Sequence, residues 1–529
     1  MASDSRAGAQ RARYEESVDV RRAREIAGWL FAPRARRPGF LWPRWLFLRS
    51  LGLVFLSAFV SLAFQIHGLI GPEGILPARD YLALVARAVH GVSAFRYAPT
   101  LLWLGSGDGA LTALVVVGTI ASLLLTLNVS PRGSVAVAWV AFLSFIGSAQ
   151  DFASYQSDGM LLEAGFLALF FAPAGLCPGL GQESPPSRAS LFLLQWEWFR
   201  IYFESGVVKL ASGDASWRDM TAMDHYYENG PLPTWVGWYV QHWGHTFHAA
   251  TSLETLVIEL GVAWMVFLPR RYRLACFVIV TVLQVGIIAT ANYAFLNYLV
   301  LFLGLLLLDD EWIARLWPTP TPISAGTDDP PAWKMALPAI SLTLVFYCTL
   351  AVFLLNGAPP PFRWLLWPAE AIEPFRIANR YGLFAVMTPA RYEIEFQGSR
   401  DGHEWRPYPF RYKPQDPRAA PGIYAPYQPR FEWNLWFASL GSWQEYTWVV
   451  RTEARLLEGS KSVLSLFAND PFAGEPPPHV RAVAWQYWFT DTATHRRTGD
   501  WWRREEIGVY CPPLAREPDG SIRMRPEMR

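Results

Sequence analysis

The stretch LFLRSLGLVFLSAFVSLAFQI at residues 46–66 carries one charged side chain, Arg49, in an otherwise apolar run. A helix needs roughly 20 mostly apolar residues to cross a bilayer, so this segment is long enough to span one. Further segments of the same character lie at 111–128, 133–149, 160–174, 190–209, 252–268, 272–290, 292–308 and 335–355. The pattern predicts a polytopic α-helical membrane bundle of about nine spans, with its outer loops, over residues 46–356.

Arginine placement predicts the orientation of this bundle. Residues 1–45 are rich in Arg and lack a small-residue cleavage site before the first apolar segment, which is typical of a cytoplasmic lead-in to an uncleaved helix. If the chain has nine spans, the arginines between the later spans lie on the same side of the membrane as this lead-in: Arg132, Arg188, Arg270, Arg271, Arg273 and Arg315. The opposite side receives loops 67–110, 150–159 and 210–251 and everything after residue 356. We expect a bacterial inner (plasma) membrane protein with an extracytoplasmic C-terminal domain, or an endoplasmic reticulum membrane protein in a eukaryote.

The pattern changes after a Pro-rich linker at 357–370. Apolar and polar side chains alternate with period two along Tyr392, Glu393, Ile394, Glu395, Phe396 and Gln397, and a turn at 398–402 follows. This alternation predicts a half-buried strand. Val480–Phe489 and Ile507–Tyr510 predict further strands, and Tyr446–Leu457 and Lys461–Phe467 have helical spacing. We expect an extramembrane β-rich domain with inserted helices at 371–515, followed by a flexible tail at 516–529.

Composition excludes several classes of function. The chain is 52% hydrophobic and 17% charged with a net charge of +1, so it lacks the basic surplus of a nucleic-acid-binding protein. Its four cysteines lie far apart, with neither a disulfide framework nor zinc-ligand spacing. No Gly-rich phosphate loop is present, and we predict no cofactor and no metal. The apolar segments predict the lipid bilayer as a partner of the protein.

The most unusual segment is LQWEWFRIYFESGVVKL at 194–210, because it places charges inside a predicted span. Glu197, Arg200 and Glu204 recur at spacings of three and four, so they share one face of a helix. Charged side chains at membrane depth are costly and face a bundle interior or a water-filled cavity. Two interpretations stay open: a catalytic site, or an ion network that fixes helix packing.

A polar turn also opens directly into an apolar helix, in YQSDGMLLE at 155–163. Asp158 is placed to cap the N-terminus of that helix, where its charge meets the positive end of the helix dipole. Capping does not account for Glu163, which enters the bilayer in the first turns of the helix. Glu163 therefore needs a partner such as Arg200.

The outer loop from Trp217 to His248 contributes a third group of candidate substrate or partner residues, namely Arg218, Asp219, His225, Tyr226, His242 and His245. His242, His245 and His248 follow one another at spacings of three, so they can lie on one helical face as metal ligands do. A companion Glu at zinc-enzyme spacing is missing. Hydrogen bonding of these His and Tyr side chains at the membrane interface is the stronger expectation.

Four long stretches carry a resemblance to a known family: YQSDGMLLEAGFLALFFAP at 155–173, WRDMTAMDHYYENGPLPTW at 217–235, ANYAFLNYLVLFLGLLLLDD at 291–310 and YQPRFEWNLWFASL at 427–440. They closely resemble the lipase maturation factor family, over residues 45–512. The resemblance implies a polytopic membrane protein whose lumenal C-terminal domain, in animal members, helps dimeric lipases fold and assemble. It also implies a distant similarity to vitamin-K-dependent carboxylase-like membrane proteins. The Arg-rich, Lys-poor composition suggests a bacterial-type member, for which the clients can differ.

Two hypotheses of function follow. In the first, the protein is a non-enzymatic assembly factor for secreted proteins such as lipases, and Trp433 and Trp436 belong to an apolar surface that binds them. The alternative for these aromatics is the core of their own domain. In the second hypothesis, the protein is a membrane-embedded enzyme acting on a lipid or lipid-linked substrate, through the candidate catalytic residues Glu163, Glu197, Arg200 and Glu204. A solvent-connected polar cavity at these charges favours the enzyme, and a sealed ion network favours the scaffold.

Overall fold

A computed structural model describes residues 25–33, 39–315, 332–355 and 363–525, together with residues 22 and 317. Most of the Arg-rich lead-in, most of a Pro-rich segment at 316–332, and residues 357–361 of the predicted linker lie outside the described residues. Two short helical segments, Arg363–Leu366 and Trp367–Ile372, occupy the end of the predicted linker.

Every predicted span is helical in the structure. The helices are α1 (Leu41–Ile70), α2 (Asp108–Thr126), α3 (Pro131–Ile146), α4 (Gln156–Phe171), α5 (Arg188–Ala211), α6 (His245–Leu260), α7 (Arg270–Thr290), α8 (Leu296–Gly304) and α9 (Ala332–Leu354). Short 3-10 segments extend α6 over Val262–Phe267 and α8 over Leu305–Leu307. In the described part of the chain, five helices are long and apolar enough to cross a membrane: α1, α2, α6 with its extension, α7 and α9. The chain is an integral membrane protein, and the number nine stays a prediction.

The other four helices fall short of that criterion for two different reasons. Helices α3, α4 and α8 are too short, and α4 and α5 carry ionisable residues. Glu163 on α4 and Arg200 on α5 are buried among the other helices. This arrangement keeps the charges away from lipid, where an unpaired charge is costly.

Helix α1 lies at the centre of the bundle, and small residues allow its neighbours to approach closely. A Cβ added at Gly118 of α2 would lie 2.2 Å from the ring of Phe59 on α1, and one added at Gly52 would lie 2.5 Å from Oγ1 of Thr126. Close backbone approach at small residues is the usual basis of helix association in membranes. Phe59 also packs edge to face on Phe142 of α3, with ring centroids 6.0 Å apart.

The C-terminal domain contains an antiparallel sheet of five strands in the order β2-β1-β3-β4-β5. The strands are β1 (Arg391–Ser399), β2 (Trp405–Pro407), β3 (His479–Phe489), β4 (Trp502–Arg516) and β5 (Ile522–Met524). The predicted strands at 392–396 and 480–489 are therefore confirmed, whereas β4 is much longer than Ile507–Tyr510. Strand β5 pairs with β4 inside the region predicted as a flexible tail, so that prediction is wrong for residues 522–524.

Helices α10 (Arg430–Ser439) and α11 (Trp448–Leu457) pack against the sheet. Shorter helical segments occupy the loops, at Ala78–Ala88, Val92–Tyr97, Leu101–Trp103, Gln150–Ala153, Ala215–Arg218, Ala222–Asn229, Trp235–Gln241, Asp310–Ile313, Glu373–Phe375, Lys461–Leu464 and Thr492–Thr498. The predicted helix at 446–457 is thus confirmed. The predicted helix at 461–467 is shorter than expected.

Strand β1 differs from its prediction in exposure. Ile394 and Phe396 are buried as expected, but Glu393 and Glu395 on the opposite face are buried too. Nζ of Lys413 lies 2.8 Å from Oε2 of Glu393, so a cation under the covering loop compensates the buried carboxylate. The predicted half-buried strand is therefore covered on both faces.

The C-terminal domain packs on one end of the bundle, and each predicted outer loop touches it. Arg455 donates to the carbonyl of Gly74 at 2.9 Å, Arg430 donates to the carbonyl of Phe152 at 2.8 Å, and the indole of Trp436 donates to the carbonyl of Asn229 at 3.0 Å. The predicted cytoplasmic segments contact one another at the other ends of the helices, as in Arg44 with Gly181, Arg132 with Ala172, and Arg270 with Asp309.

Candidate functional site

The charged face of α5 meets α4 in the middle of the protein. Arg200 forms an ion pair with Glu163, which is the partner that the sequence predicted for that carboxylate. One helical turn further on, Oε1 of Glu204 lies 3.9 Å from Nη1 of Arg200. The two helices therefore share one buried charge cluster, formed by Glu163, Arg200 and Glu204.

A third segment, residues 379–381, completes this cluster from the C-terminal side of the chain. The backbone amide of Asn379 and the hydroxyl of Tyr381 donate to Oε2 of Glu163 at 3.0 and 2.9 Å. The backbone amide of Tyr381 donates to Glu204 at 2.7 Å, and Arg200 donates to the carbonyl of Asn379 at 2.8 Å. The cluster thus attaches the start of the C-terminal domain to the bundle.

Sequence reasoning missed Asn379 and Tyr381, because they lie in irregular backbone without periodicity. A signal was nevertheless present in the composition of the charged face. Three glutamates, Glu163, Glu197 and Glu204, surround a single Arg200, and buried carboxylates need more donors than one guanidinium supplies. That imbalance required donors from outside α4 and α5.

The cluster is sealed from solvent. Arg200 and Glu197 are 0% exposed, Glu163 is 1% exposed and Glu204 is 3% exposed. Glu197 lies on the same face of α5, but its carboxylate makes none of the hydrogen bonds that hold the other two glutamates. Because water does not reach these groups, the geometry is that of an ion network that fixes packing.

Asp158 lies in the first turn of α4, at the positive end of the helix dipole as predicted, but its side chain does not cap the helix. Its carboxylate makes two 2.7 Å hydrogen bonds with the guanidinium of Arg430, which stands at the start of α10 in the C-terminal domain. Both side chains are buried, and the hydroxyl of Tyr155 donates to the carbonyl of Arg430 at 3.1 Å. A bidentate pair of this kind fixes orientation as well as distance. It attaches α10 to the first turn of α4.

Arg391, which opens β1, makes the equivalent connection to the outer loop at 228–231. Its guanidinium donates to the carbonyls of Glu228 and Pro231 at 3.0 Å each, to the carbonyl of Gly230, and to the carboxylate of Glu393. The carboxylate of Glu228 accepts a 2.7 Å hydrogen bond from the amide of Phe489 in β3. Burial raises the pKa of Glu228, and the hydrogen bond from Phe489 opposes that rise.

The predicted histidine group is only partly assembled. His245 and His248 lie on α6, and each places Nδ1 at 2.9 Å from one oxygen of Asp224. His242 lies before α6 and contacts the carbonyls of Trp238 and Thr490, at 2.7 and 3.1 Å. The three histidines therefore do not share a helical face, and His242 instead joins the loop to the C-terminal domain.

The remaining loop residues have separate environments. Arg218 is exposed and donates to the carbonyl of Leu210 at the end of α5, and Asp219 is exposed one residue later. His225 is half-buried, whereas Tyr226 is buried edge to face against Phe384 at 5.7 Å. The structure does not bring these four residues together with the charge cluster.

Trp433 and Trp436 do not form an exposed surface. They lie on α10, and Trp433 is buried edge to face on Tyr155 with ring centroids 5.4 Å apart. Trp436 is half-buried and hydrogen-bonded to Asn229. From the sequence, a buried core is the alternative to an exposed binding surface, and these two tryptophans do belong to a core. That core is shared between the C-terminal domain and the outer loops.

These features define a class: an integral membrane protein whose C-terminal β-rich domain is held on one end of a helical bundle by buried ion pairs and by hydrogen bonds to the outer loops. Comparison with known proteins identifies the family. The model of the lipase maturation factor transmembrane domain matches residues 42–315, and that of the lipase maturation factor C-terminal domain matches residues 377–512. The chain belongs to the lipase maturation factor family.

Curated relatives cover almost the whole protein. Lipase maturation factor 1 of Bos taurus is 32% identical over 92% of this chain and 91% of its own length. Lipase maturation factor 2 of Gallus gallus is 32% identical over 89% of this chain and 81% of its own length. Lipase maturation factor 1 of Homo sapiens is 30% identical over 92% of this chain and 90% of its own length. No solved structure matches.

Proposed function

We propose that the protein is a membrane-anchored maturation factor that assists the folding and assembly of secreted lipases. The observation that carries this proposal is the similarity to lipase maturation factors 1 and 2 over both the bundle and the C-terminal domain. The buried connections at Arg200, Arg391 and Arg430 support it further, because they make the domain a rigid platform beside the membrane. A platform of that kind can hold a client without chemistry of its own.

The competing enzyme hypothesis loses its predicted site. Catalysis needs a reacting group within hydrogen-bond reach of acid, base and anion-binding side chains. Glu163, Glu197, Arg200 and Glu204 are shielded from solvent, and three of them are engaged with one another or with residues 379–381. The sealed cluster supports a scaffold.

The proposed orientation places the C-terminal domain and the outer loops outside the cytoplasm. Loops 67–110, 150–159 and 210–251 all contact the C-terminal domain, as a common outer side requires. In a bacterium this side is the periplasm or exterior, and in a eukaryote it is the lumen of the endoplasmic reticulum. Clients that cross the membrane unfolded would meet the domain there.

The client contact that we propose lies on strands β3 and β4, since α10 is buried. Arg503 of β4 stacks on its cross-strand partner Trp488 of β3, with 4.2 Å between guanidinium carbon and ring centroid, on the opposite face of the sheet from Trp485 and Arg504. Arg503 is exposed, and Ile507 further along the same strand is 56% exposed. Trp and Arg are the residue types enriched at energetically dominant positions of protein interfaces.

The test is disruption of the gene in its own host, followed by measurement of secreted lipase activity per unit of lipase protein. Specific activity should fall and recover with the wild-type gene. The variant Trp488→Ala should fold normally yet restore less activity, whereas the matched surface variant Trp367→Ala, at an exposed position outside the sheet, should restore it fully. Unchanged specific activity after disruption would contradict the proposal.

A further inference from the structure

A cavity of about 350 Å³ lies in the outer half of the bundle, between α5, α6, α7, α8 and the outer loop. Its walls are mainly apolar and aromatic, and they include Tyr202, Tyr227, Phe247, Val282, Ile287 and Phe384. The volume is within the range of about 300–1,000 Å³ that is usual for small-molecule sites. The charge cluster at Arg200 does not line this cavity, so the two sites are separate.

One wall of the cavity is polar although it belongs to a membrane-spanning helix. Thr251, Glu254, Thr255 and Glu259 of α6 all line it, and their spacings of three and four place them on one helical face. Glu259 is paired with Lys209 of α5 at 2.8 Å, while Glu254 is exposed. Ionisable side chains within a span normally face a bundle interior or a pathway for a ligand. Here they face the cavity.

The cavity opens sideways between α6 and α7. Val282 and Gly286 line it and are also exposed on the outside of α7, next to the exposed Val285. On α6 the neighbouring Val257 is exposed as well. These apolar surfaces belong to helices that qualify as membrane spans, so the opening faces lipid tails. A ligand would therefore enter from the bilayer.

We propose that this cavity binds a single-chain amphiphile with an uncharged, hydroxylated head. The chain would lie between α6 and α7, against Val282 and Ile287, and the head would bind the polar face of α6. Glu254 and Glu259 outnumber Lys209, which is already occupied by Glu259 and by the carbonyl of Leu383 at 3.0 Å. Two carboxylates and one engaged ammonium repel a phosphate head and accept hydrogen bonds from hydroxyl groups. This inference is independent of the proposed function.

The experiment uses the full chain in liposomes and two photoactivatable probes with the same diazirine-bearing acyl chain, a monoacylglycerol and a lysophosphatidic acid. The monoacylglycerol probe should label peptides from residues 251–259 and 282–290. The phosphate probe should label them about tenfold more weakly, which corresponds to about 1.4 kcal/mol of binding free energy. An excess of unlabelled monoacylglycerol should suppress the specific labelling.

A cavity-filling variant supplies the second arm. Gly286 lines the cavity and a Cβ added there meets no atom within 4 Å, so Gly286→Phe has room to place its ring at the mouth of the cavity. It should reduce labelling about tenfold, whereas the matched control Val285→Phe, on the lipid-facing side of α7, should not. Labelling that is insensitive to Gly286→Phe and to competitor, or equal for both probes, would identify surrounding bilayer lipid only and overturn the proposal.

Discussion

Glu163 shows how much of this protein depends on single buried side chains. Its carboxylate forms an ion pair with Arg200 and accepts hydrogen bonds from Asn379 and Tyr381. These partners come from two separate parts of the chain, helix α5 and residues 379–381. A buried charge is tolerated only when such partners replace water, and removal of one partner leaves the others unsatisfied. Loss of any one side chain of the cluster should therefore destabilise the fold by leaving the remaining buried groups unsatisfied.

Substitution of Glu163 by Gln should destabilise the protein by about 3–5 kcal/mol, because the buried Arg200 loses its nearest counter-charge and keeps only the more distant Glu204. Thermal unfolding in detergent, followed by tryptophan fluorescence, measures this loss. The control is Glu311→Gln, which removes an exposed pair with Arg270 at 3.5 Å and should change stability by less than about 1 kcal/mol. A stable Glu163→Gln protein without maturation activity would instead restore the enzyme hypothesis.

Glu432 in the C-terminal domain should make stability depend on pH. Burial raises the pKa of Glu432 to about 7, although the amides of Arg411, Tyr412 and Lys413 donate to its carboxylate and oppose the rise. The folded state then binds the proton more tightly than the unfolded state. The stabilisation from this bound proton is greatest below the ordinary pKa of Glu and is lost as the pH rises through about 7.

The free energy of unfolding should accordingly fall by about 2 kcal/mol between about pH 5 and pH 7. In Glu432→Gln this slope should be smaller, with a residual contribution in the same direction from Glu453, whose pKa burial also raises. Denaturant unfolding at a series of pH values measures the slope. An identical slope in the wild type and in Glu432→Gln would show that this carboxyl does not titrate as expected.

At the scale of elements, the contact between α4 and α10 depends on Asp158 and Arg430. A double-mutant cycle with Asp158→Asn and Arg430→Gln should give a coupling free energy above about 1 kcal/mol, because both groups are buried and bidentate. The exposed pair Arg400 with Glu475, at 3.4 Å, provides the reference cycle and should give a value near zero. Equal coupling in both cycles would mean that the buried pair does not hold α10 to α4.

The elements predictable from sequence were those with strong local patterns. Apolar runs identified every helix of the bundle, and alternation identified β1 and β3. Helix α10 was missed because residues 430–435 are all buried, polar and apolar alike, so the helix has no clear polar face. The burial of Glu393 and Glu395 was missed because a covering loop, rather than the strand itself, decides exposure.

The candidate site was predictable only where both partners lay on predicted helices. Spacing placed Glu197, Arg200 and Glu204 on one face, and the cost of an unpaired charge connected Glu163 to Arg200. Arg430 gave no such signal, since nothing local relates it to Asp158, and Asp158 had a sufficient local explanation as a cap. Contacts between residues far apart in sequence require the fold to be known.

At the scale of the whole molecule, the natural cysteines provide a test of orientation. Cys177 is exposed in the loop between α4 and α5, whereas Cys276, Cys348 and Cys511 are buried. In the proposed orientation Cys177 faces the cytoplasm, so a membrane-impermeant maleimide should label it only after permeabilisation. A cysteine introduced at the exposed Gln444 should be labelled in intact cells. Labelling in the reverse pattern would invert the topology.

The pairing of Asp158 with Arg430 also has a consequence for biosynthesis. The two residues are 272 positions apart, so Asp158 is made and inserted long before its partner leaves the ribosome. Glu163 likewise precedes Asn379 by 216 positions. The outer end of the bundle therefore stays incomplete until translation is nearly finished. A chain that ends between these partners lacks Arg430 and Asn379, so it leaves Asp158 without its counter-charge and Glu163 with Arg200 but without the amide of Asn379.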